Sequence, residues 1–242
     1  MKLEICANSM QSAINAQLGG AHRIELCANL EGGGTTPDAA TIQLASHILQ
    51  QSLNKQPTKV YVLIRPRIGN FCYSPLELGQ MKRNILYCKA AKVNGIVTGV
   101  LDNEGKVDMQ ANAELLQVAF PLKATFHRAF DRIENKSEAL EQIIELGFER
   151  ILTSGGEASA LEGKEMIAQL VRQAAGRISI MPGAGINSKN IEGLITATSA
   201  NEYHLSAKKV IYPMGQPDQL FETPYWETDI QEVQRVMRIL NR

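Results

Sequence analysis

Eight short runs of branched and apolar residues, each followed by turn residues and then a helical pattern, limit what this chain can become. They are LEICA (3–7), RIELC (23–27), VYVLIRPR (60–67), GIVTGVL (95–101), LKATFHR (122–128), RILTSG (150–155), ISIMPGAG (178–185) and EYHLSAK (202–208). Their starts lie 20 to 37 residues apart, which is room for one crossover helix between parallel strands. Helix ends are readable between them. Ser9 precedes MQSAINAQL, which stops at Gly19-Gly20, and Thr36-Pro37 opens a second helix with proline in its first turn. Ser74-Pro75-Leu76-Glu77 reads as a capping box. Asn135 or Ser137 caps SEALEQIIEL, and Asn187 or Ser188 caps a short helix. A last helix at 228–240 sets Ile230, Val233, Met237 and Leu240 on one face.

Eight alternating units in 242 residues predict an α/β fold, a (β/α)8 TIM-type barrel formed as a single domain over 1–242. The competing doubly wound sheet often carries a Gly-x-Gly-x-x-Gly turn after its first strand, and none follows LEICA. Residues 207–226, with three prolines and the only tryptophan, read as a long connection that covers one barrel end or makes a subunit contact. Lys+Arg and Asp+Glu balance at 25 each with no basic run, so a nucleic-acid surface is not indicated. No window approaches the roughly 18 apolar residues of a membrane span. Glu4 interrupts the first apolar run, which lacks a signal-peptide core. A cytoplasmic location is therefore expected, with Cys6, Cys27, Cys72 and Cys88 as thiols.

Strand alternation then sorts side chains between the helix layer and the barrel interior. It sends Glu4, Cys6, Glu25, Cys27, Arg65, Arg67, Thr125, His127, Thr153, Glu202, His204 and Ser206 inward. Structural barrel interiors are mostly branched and apolar, so this one is unusual. Unpaired buried charges are costly, which predicts an acidic ring with Arg65 and the histidines set among it. Such an interior is either a satisfied polar core or a binding cavity at the C-terminal mouth. In TFHRAFD, His127 would face that mouth while Arg128 and Asp131 fix its rim.

Gly183-Ala184-Gly185 ends strand seven just before a helix, and Ser206 follows strand eight, where barrels of this kind hold anions. The glycines serve equally well in a tight turn. The three glycines of EGGGTTPD (31–38) form either a mobile closing loop or a loose connection. Arg65 and Arg67 flank Pro66 and suit a carboxylate or phosphate, with Glu4 and Glu25 as alternative partners for Arg65. Cys6 and Cys27 end neighbouring strands, which lie about 4.8 Å apart, so their sulfurs are placed to share one soft ion such as Cu(I) or to pack as small hydrophobes.

The succession LEICANS, RIELCANL with GGGTTP, VLIRPRIGNFCYS, GIVTGVLDNEGKVD, TFHRAFD, RILTSGG and MPGAGI resembles the CutC copper-homeostasis family from residue 3 to about 208. The resemblance implies a TIM-type barrel, a cytoplasmic homo-oligomer, a role in copper tolerance or trafficking, and Cu(I) as the metal, held by Cys6 and Cys27. Ile68 replaces a glycine usual in the family, Asn70 replaces an acidic residue, and Glu31 precedes three glycines where two are usual. Beside the copper reading stands an enzyme acting on a small phosphorylated or carboxylated metabolite. There His127 is the general acid or base, oriented by Glu25 or Glu4, while Arg65 and Arg67 clamp the substrate. Gly183, Gly185, Ser206 and His204 complete the site. Neither reading involves nucleic acid or membrane.

Overall fold

In a computed structural model, which describes residues 1–51, 57–212 and 224–242, every predicted run forms a strand. These are β1 (Lys2–Ala7), β2 (Arg23–Leu26), β3 (Lys59–Leu63), β4 (Gly95–Thr98), β5 (Lys123–Phe126), β6 (Arg150–Thr153), β7 (Ser179–Pro182) and β8 (Glu202–Leu205). They lie in the order β7-β6-β5-β4-β3-β2-β1-β8, parallel throughout. β7 and β8 nearly close the ring, since a Cβ on Gly183 would sit 3.4 Å from His204 Cδ2. The helices α1 (Met10–Gly19), α2 (Ala39–Gln50), α3 (Pro75–Ala90), α4 (Met109–Ala119), α5 (Lys136–Leu146), α6 (Lys164–Ala174), α7 (Ile191–Thr198) and α8 (Ile230–Leu240) each follow one strand. This is the (β/α)8 TIM barrel rather than the doubly wound sheet. Among the described residues no helix is long and apolar enough to cross a membrane.

Local chemistry explains most helix starts. Ser9 accepts the Ser12 N–H, Ser74 and Glu77 form the reciprocal capping box, and Asn135 rather than Ser137 caps α5. The second start differs from expectation: Asp38, not Thr36, caps α2. Thr36 is committed elsewhere, its N–H donating to the Arg65 carbonyl and its hydroxyl accepting from the Arg65 N–H at 2.8 Å. The short helix also starts later, at Ile191, because Asn187 and Ser188 lie in the turn before it. The long connection after β8 holds an antiparallel pair that strand counting missed, β9 (Lys208–Ile211) with β10 (Tyr225–Thr228). Ser12 and Asn15 of α1 hydrogen-bond the backbone of Thr228 and so dock this pair. Residues 213–223, the middle of the expected end cover, lie outside the described residues.

The outer faces of the strands carry Leu3, Ile5, Ile24, Leu26, Val60, Val62, Ile96 and Ile151, all sealed against the helices. The inner face begins with a floor of charges. Arg23 donates to Glu4, and its Nη2 reaches Glu202 at 2.6 Å. Arg150 reaches the same Glu202 through Nε at 2.9 Å and donates to Thr125 Oγ1 at 3.1 Å. The Tyr61 ring lies 5.1 Å from the Arg23 guanidinium carbon and 5.3 Å from that of Arg150, and its hydroxyl donates to Glu149. The acids are thus balanced by Arg23 and Arg150, not by Arg65 as expected. Thr153 also faces the other way from its assignment. Leu152 is the inward neighbour, and the Thr153 hydroxyl donates to Asp131 behind the strand.

Gly95 makes room for Tyr61, because a Cβ there would sit 2.4 Å from the ring and 2.7 Å from the Lys123 carbonyl oxygen. Gly95→Ala is expected to overpack this floor and lower the unfolding free energy by about 1–3 kcal/mol. Urea denaturation reads this, and an unchanged midpoint would show that the ring is free to move.

Candidate functional site

Above the floor, at the C-terminal ends of the strands, lies a cavity of about 780 Å³. Cys6, Glu25, Cys27, Arg65, His127 and His204 all line it, with Gly185 and Ser206 at its edge. Six strands and their loops therefore deliver the predicted residues to one space.

One part of the wall is sulfur. Cys6 Sγ and Cys27 Sγ are 3.5 Å apart, both buried, beside Tyr61, Leu63 and Val97. The hydrogen bond with Cys27, burial and the nearby Glu25 carboxylate all push the Cys6 thiol well above its ordinary pKa. His204 stands next to this pair. Its Nδ1 is 2.8 Å from Glu4 Oε1 and its Nε2 is 3.6 Å from Glu25 Oε2. Burial resists charging His204, but Glu4 and Glu25 outweigh it and raise the pKa. Burial raises the pKa of Glu25 as well. Ligand atoms of Cys6, Glu25 and His204 lie within 4.8 Å of one another, which is a cluster able to hold a cation. Glu4 is deeper, fully buried beneath the cavity. Burial alone would raise its pKa, yet Arg23 and His204 hold its carboxyl well below the usual range.

A second part of the wall is formed after β3 and β5. His127 Nδ1 accepts the Ala129 N–H at 3.2 Å, so the ring proton of the neutral imidazole resides on Nε2. Burial and the Arg65 charge push its pKa down to about 3. The Nδ1 lone pair expected to serve as acid or base is thus already used, and the ring lines the cavity as a neutral imidazole with its Nε2 buried. Its orientation comes from the Ala129 amide rather than from Glu25 or Glu4. Gly99 leaves space for the ring, since a Cβ there would lie 2.9 Å from Nδ1. Arg65 likewise does not pair with Glu4 or Glu25. Its Nη1 donates to the Gly33 and Gly34 carbonyls at 3.0 and 2.8 Å, and its Nη2 donates to Gly69 O at 2.9 Å. The glycine loop 32–34 is therefore a cradle for Arg65. The Phe71 ring, which sequence reasoning missed, lies against both groups, 4.9 Å from the guanidinium carbon and 4.8 Å from the imidazole centroid.

Two expected binding residues play other parts. Arg67 does not line the cavity; it donates to Glu77 at 2.6 Å and to Cys72 O at 2.9 Å, bracing the start of α3. Gly183 lies below the edge, where a Cβ would sit 2.5 Å from Leu152 Cδ1, so its smallness serves strand packing. The turn between Gly185 and α7 is hydrogen-bonded from within the chain. Glu232 accepts the Ser188 N–H at 2.7 Å and the Ser188 hydroxyl at 3.0 Å, while Asn190 accepts the Asn187 N–H. On the rim, Arg128 pairs with Asp131 at 2.7 Å, and Asp131 also accepts the Ser154 N–H.

The family model described as the CutC family matches residues 1–209. A CutC family protein from Xanthomonas axonopodis pv. citri is 45% identical over 246 residues, covering 100% of both chains. A human relative named copper homeostasis protein cutC homolog is 43% identical over 206 residues, 85% of this chain and 73% of that one. The solved structure of a CutC protein from Streptococcus agalactiae superposes with a TM-score of 0.80 at 33% identity, covering 85% of this chain and 98% of that chain. Matched along its barrel by family, sequence and structure, the chain belongs to the CutC family.

Proposed function

We propose that this protein serves copper homeostasis in the cytoplasm by taking up a Cu(I) ion between Cys6 and Cys27. The observation that carries this reading is the 3.5 Å separation of two buried sulfurs on the wall of an open cavity. Two thiols in an apolar setting suit a soft monovalent cation better than a hard one. His204 Nε2 and a Glu25 oxygen stand close enough to complete the ligand set. The names of the relatives point the same way. Because the Cys6 thiol is held protonated, uptake of the ion displaces a proton, and affinity rises with pH.

Anaerobic titration is expected to give about one equivalent of Cu(I), tighter at pH 8 than at pH 6, by about tenfold per pH unit for each proton released. The Cys6→Ser/Cys27→Ser double variant should lose this binding. Stoichiometric uptake in the double variant, or an affinity indifferent to pH, ends the reading.

A second reading is favoured by the size of the cavity, about 780 Å³, which is ligand-sized rather than ion-sized. In it the cavity takes a small organic metabolite, with Arg65 and His127 as binding groups and Glu25, whose pKa burial holds up, as the acid or base.

A further inference from the structure

Among the described residues, buried side-chain donors without a well-formed hydrogen bond gather in one place. His127 Nε2, Arg65 Nε and the Tyr73 hydroxyl are all sealed from solvent, and none has a partner of good geometry. The Tyr73 hydroxyl rests against the Arg65 guanidinium, so these two satisfy each other in part. His127 Nε2 has no such neighbour. Leaving a donor buried and unused costs about 1–3 kcal/mol, and such groups mark sites where something else supplies the acceptor.

Charge adds an independent argument. Arg65 is only 5% exposed. Among the described residues no carboxylate lies within the 4.0 Å of an ion pair, and its partners are backbone carbonyls and the Phe71 ring. By contrast Arg23 and Arg150, equally buried, are each matched by carboxylates. A buried cation without a counter-ion beside a cavity favours an anion in that cavity. Gly99, just past the end of β4 and between the segments that carry Arg65 and His127, has no side chain and so leaves the imidazole its place in this wall.

We propose that the cavity wall after β3 and β5 is a carboxylate-binding subsite, where a small organic acid sets its carboxylate against Arg65 and the His127 Nε2–H. This rests on the metabolite reading above and names the ligand class and its anchors. The carbon skeleton lies along Leu63, Phe71 and Leu152, and the acid reaches the two donors by turning the Phe71 ring aside. One fixed positive charge matches one carboxylate. A phosphate brings more charge and a third oxygen, while the Arg65 Nη atoms are already committed to the loop.

Thermal unfolding of the full chain with lactate, succinate and benzoate tests this, with benzamide as the uncharged counterpart and inorganic phosphate and glycerol phosphate as the competing anions. At about ten times its Kd, a bound carboxylate raises the melting temperature by roughly 3–5 °C. His127→Gln should weaken binding about tenfold or more. Arg65→Gln should abolish it. Since Arg65 also holds the glycine loop, the decisive comparison is His127→Gln, together with the imidazole nitrogen resonances of the native protein. The Nε2–H signal shifts on adding the carboxylate if the contact forms. A response unchanged in His127→Gln, or equal with benzamide, overturns the proposal. Binding of phosphate or glycerol phosphate alone refutes the carboxylate assignment and leaves the metabolite reading standing. Silence toward every one of these compounds removes both.

Discussion

Replacing Arg23 by Met is expected to lower the free energy of unfolding by about 3–5 kcal/mol, the range for removing one partner of a buried ion pair. Arg23 is 4% exposed and joins two carboxylates that are themselves buried, Glu4 and Glu202. Without it Glu4 keeps His204 as its ion-pair partner with Arg150 farther off, and Glu202 keeps Arg150 and, at 4.0 Å, Lys2. The loss is therefore one of uncompensated charge more than of packing, since Met has nearly the reach of the arginine stem. Adding Glu4→Gln to the variant should recover part of the loss, because the stranded charge is then gone. Urea midpoints at constant m-value report both effects. A drop below about 1 kcal/mol in the single variant, or no recovery in the double, would show that the floor charges are solvated or neutral.

The second large effect is a dependence on pH. His127 has a folded pKa of about 3 against an ordinary value of 6.5, because burial and the neighbouring Arg65 keep it neutral. The unfolded chain therefore binds this proton first on acidification. The associated stability is fully present above pH 6.5 and is lost as pH falls toward 3. Each pH unit inside that window costs about 1.4 kcal/mol per proton. Between pH 6.5 and 4.5 the native protein should lose about 2–3 kcal/mol more than His127→Gln does. Taking the difference between the two proteins cancels the carboxylates, including Glu25, whose raised pKa acts in the opposite sense. Parallel pH–stability curves would mean that His127 is free to protonate in the folded state.

Strand alternation made most of this architecture legible. Parity places Glu25 and Cys27 inward, and the same parity carries back two residues to Arg23, whose charge at the very start of β2 reads equally well as a solvated strand end. In β6 the polar Thr153 suggested the wrong face and hid Arg150 behind it. The inward residue near the top of that strand is Leu152, which joins Leu63 on the apolar part of the cavity wall. Long-range pairings were illegible for a different reason. Arg65 seeking glycine carbonyls, and Glu232 of α8 reaching the turn before α7 some 44 positions away in sequence, depend on how loops fold back over the mouth. No periodicity encodes that. The tautomer of His127 depends on a backbone amide two residues on, which the sequence places nearby without aiming it.

The interlocked guanidinium, phenol and carboxylate groups beneath Glu4 have one more consequence. They stopper the barrel at its far end, so the cavity is a cul-de-sac. Whatever occupies it departs by the doorway through which it arrived. Cargo handed onward to another protein has to be collected at that same doorway, and the surface presented there is shared by loading and unloading alike.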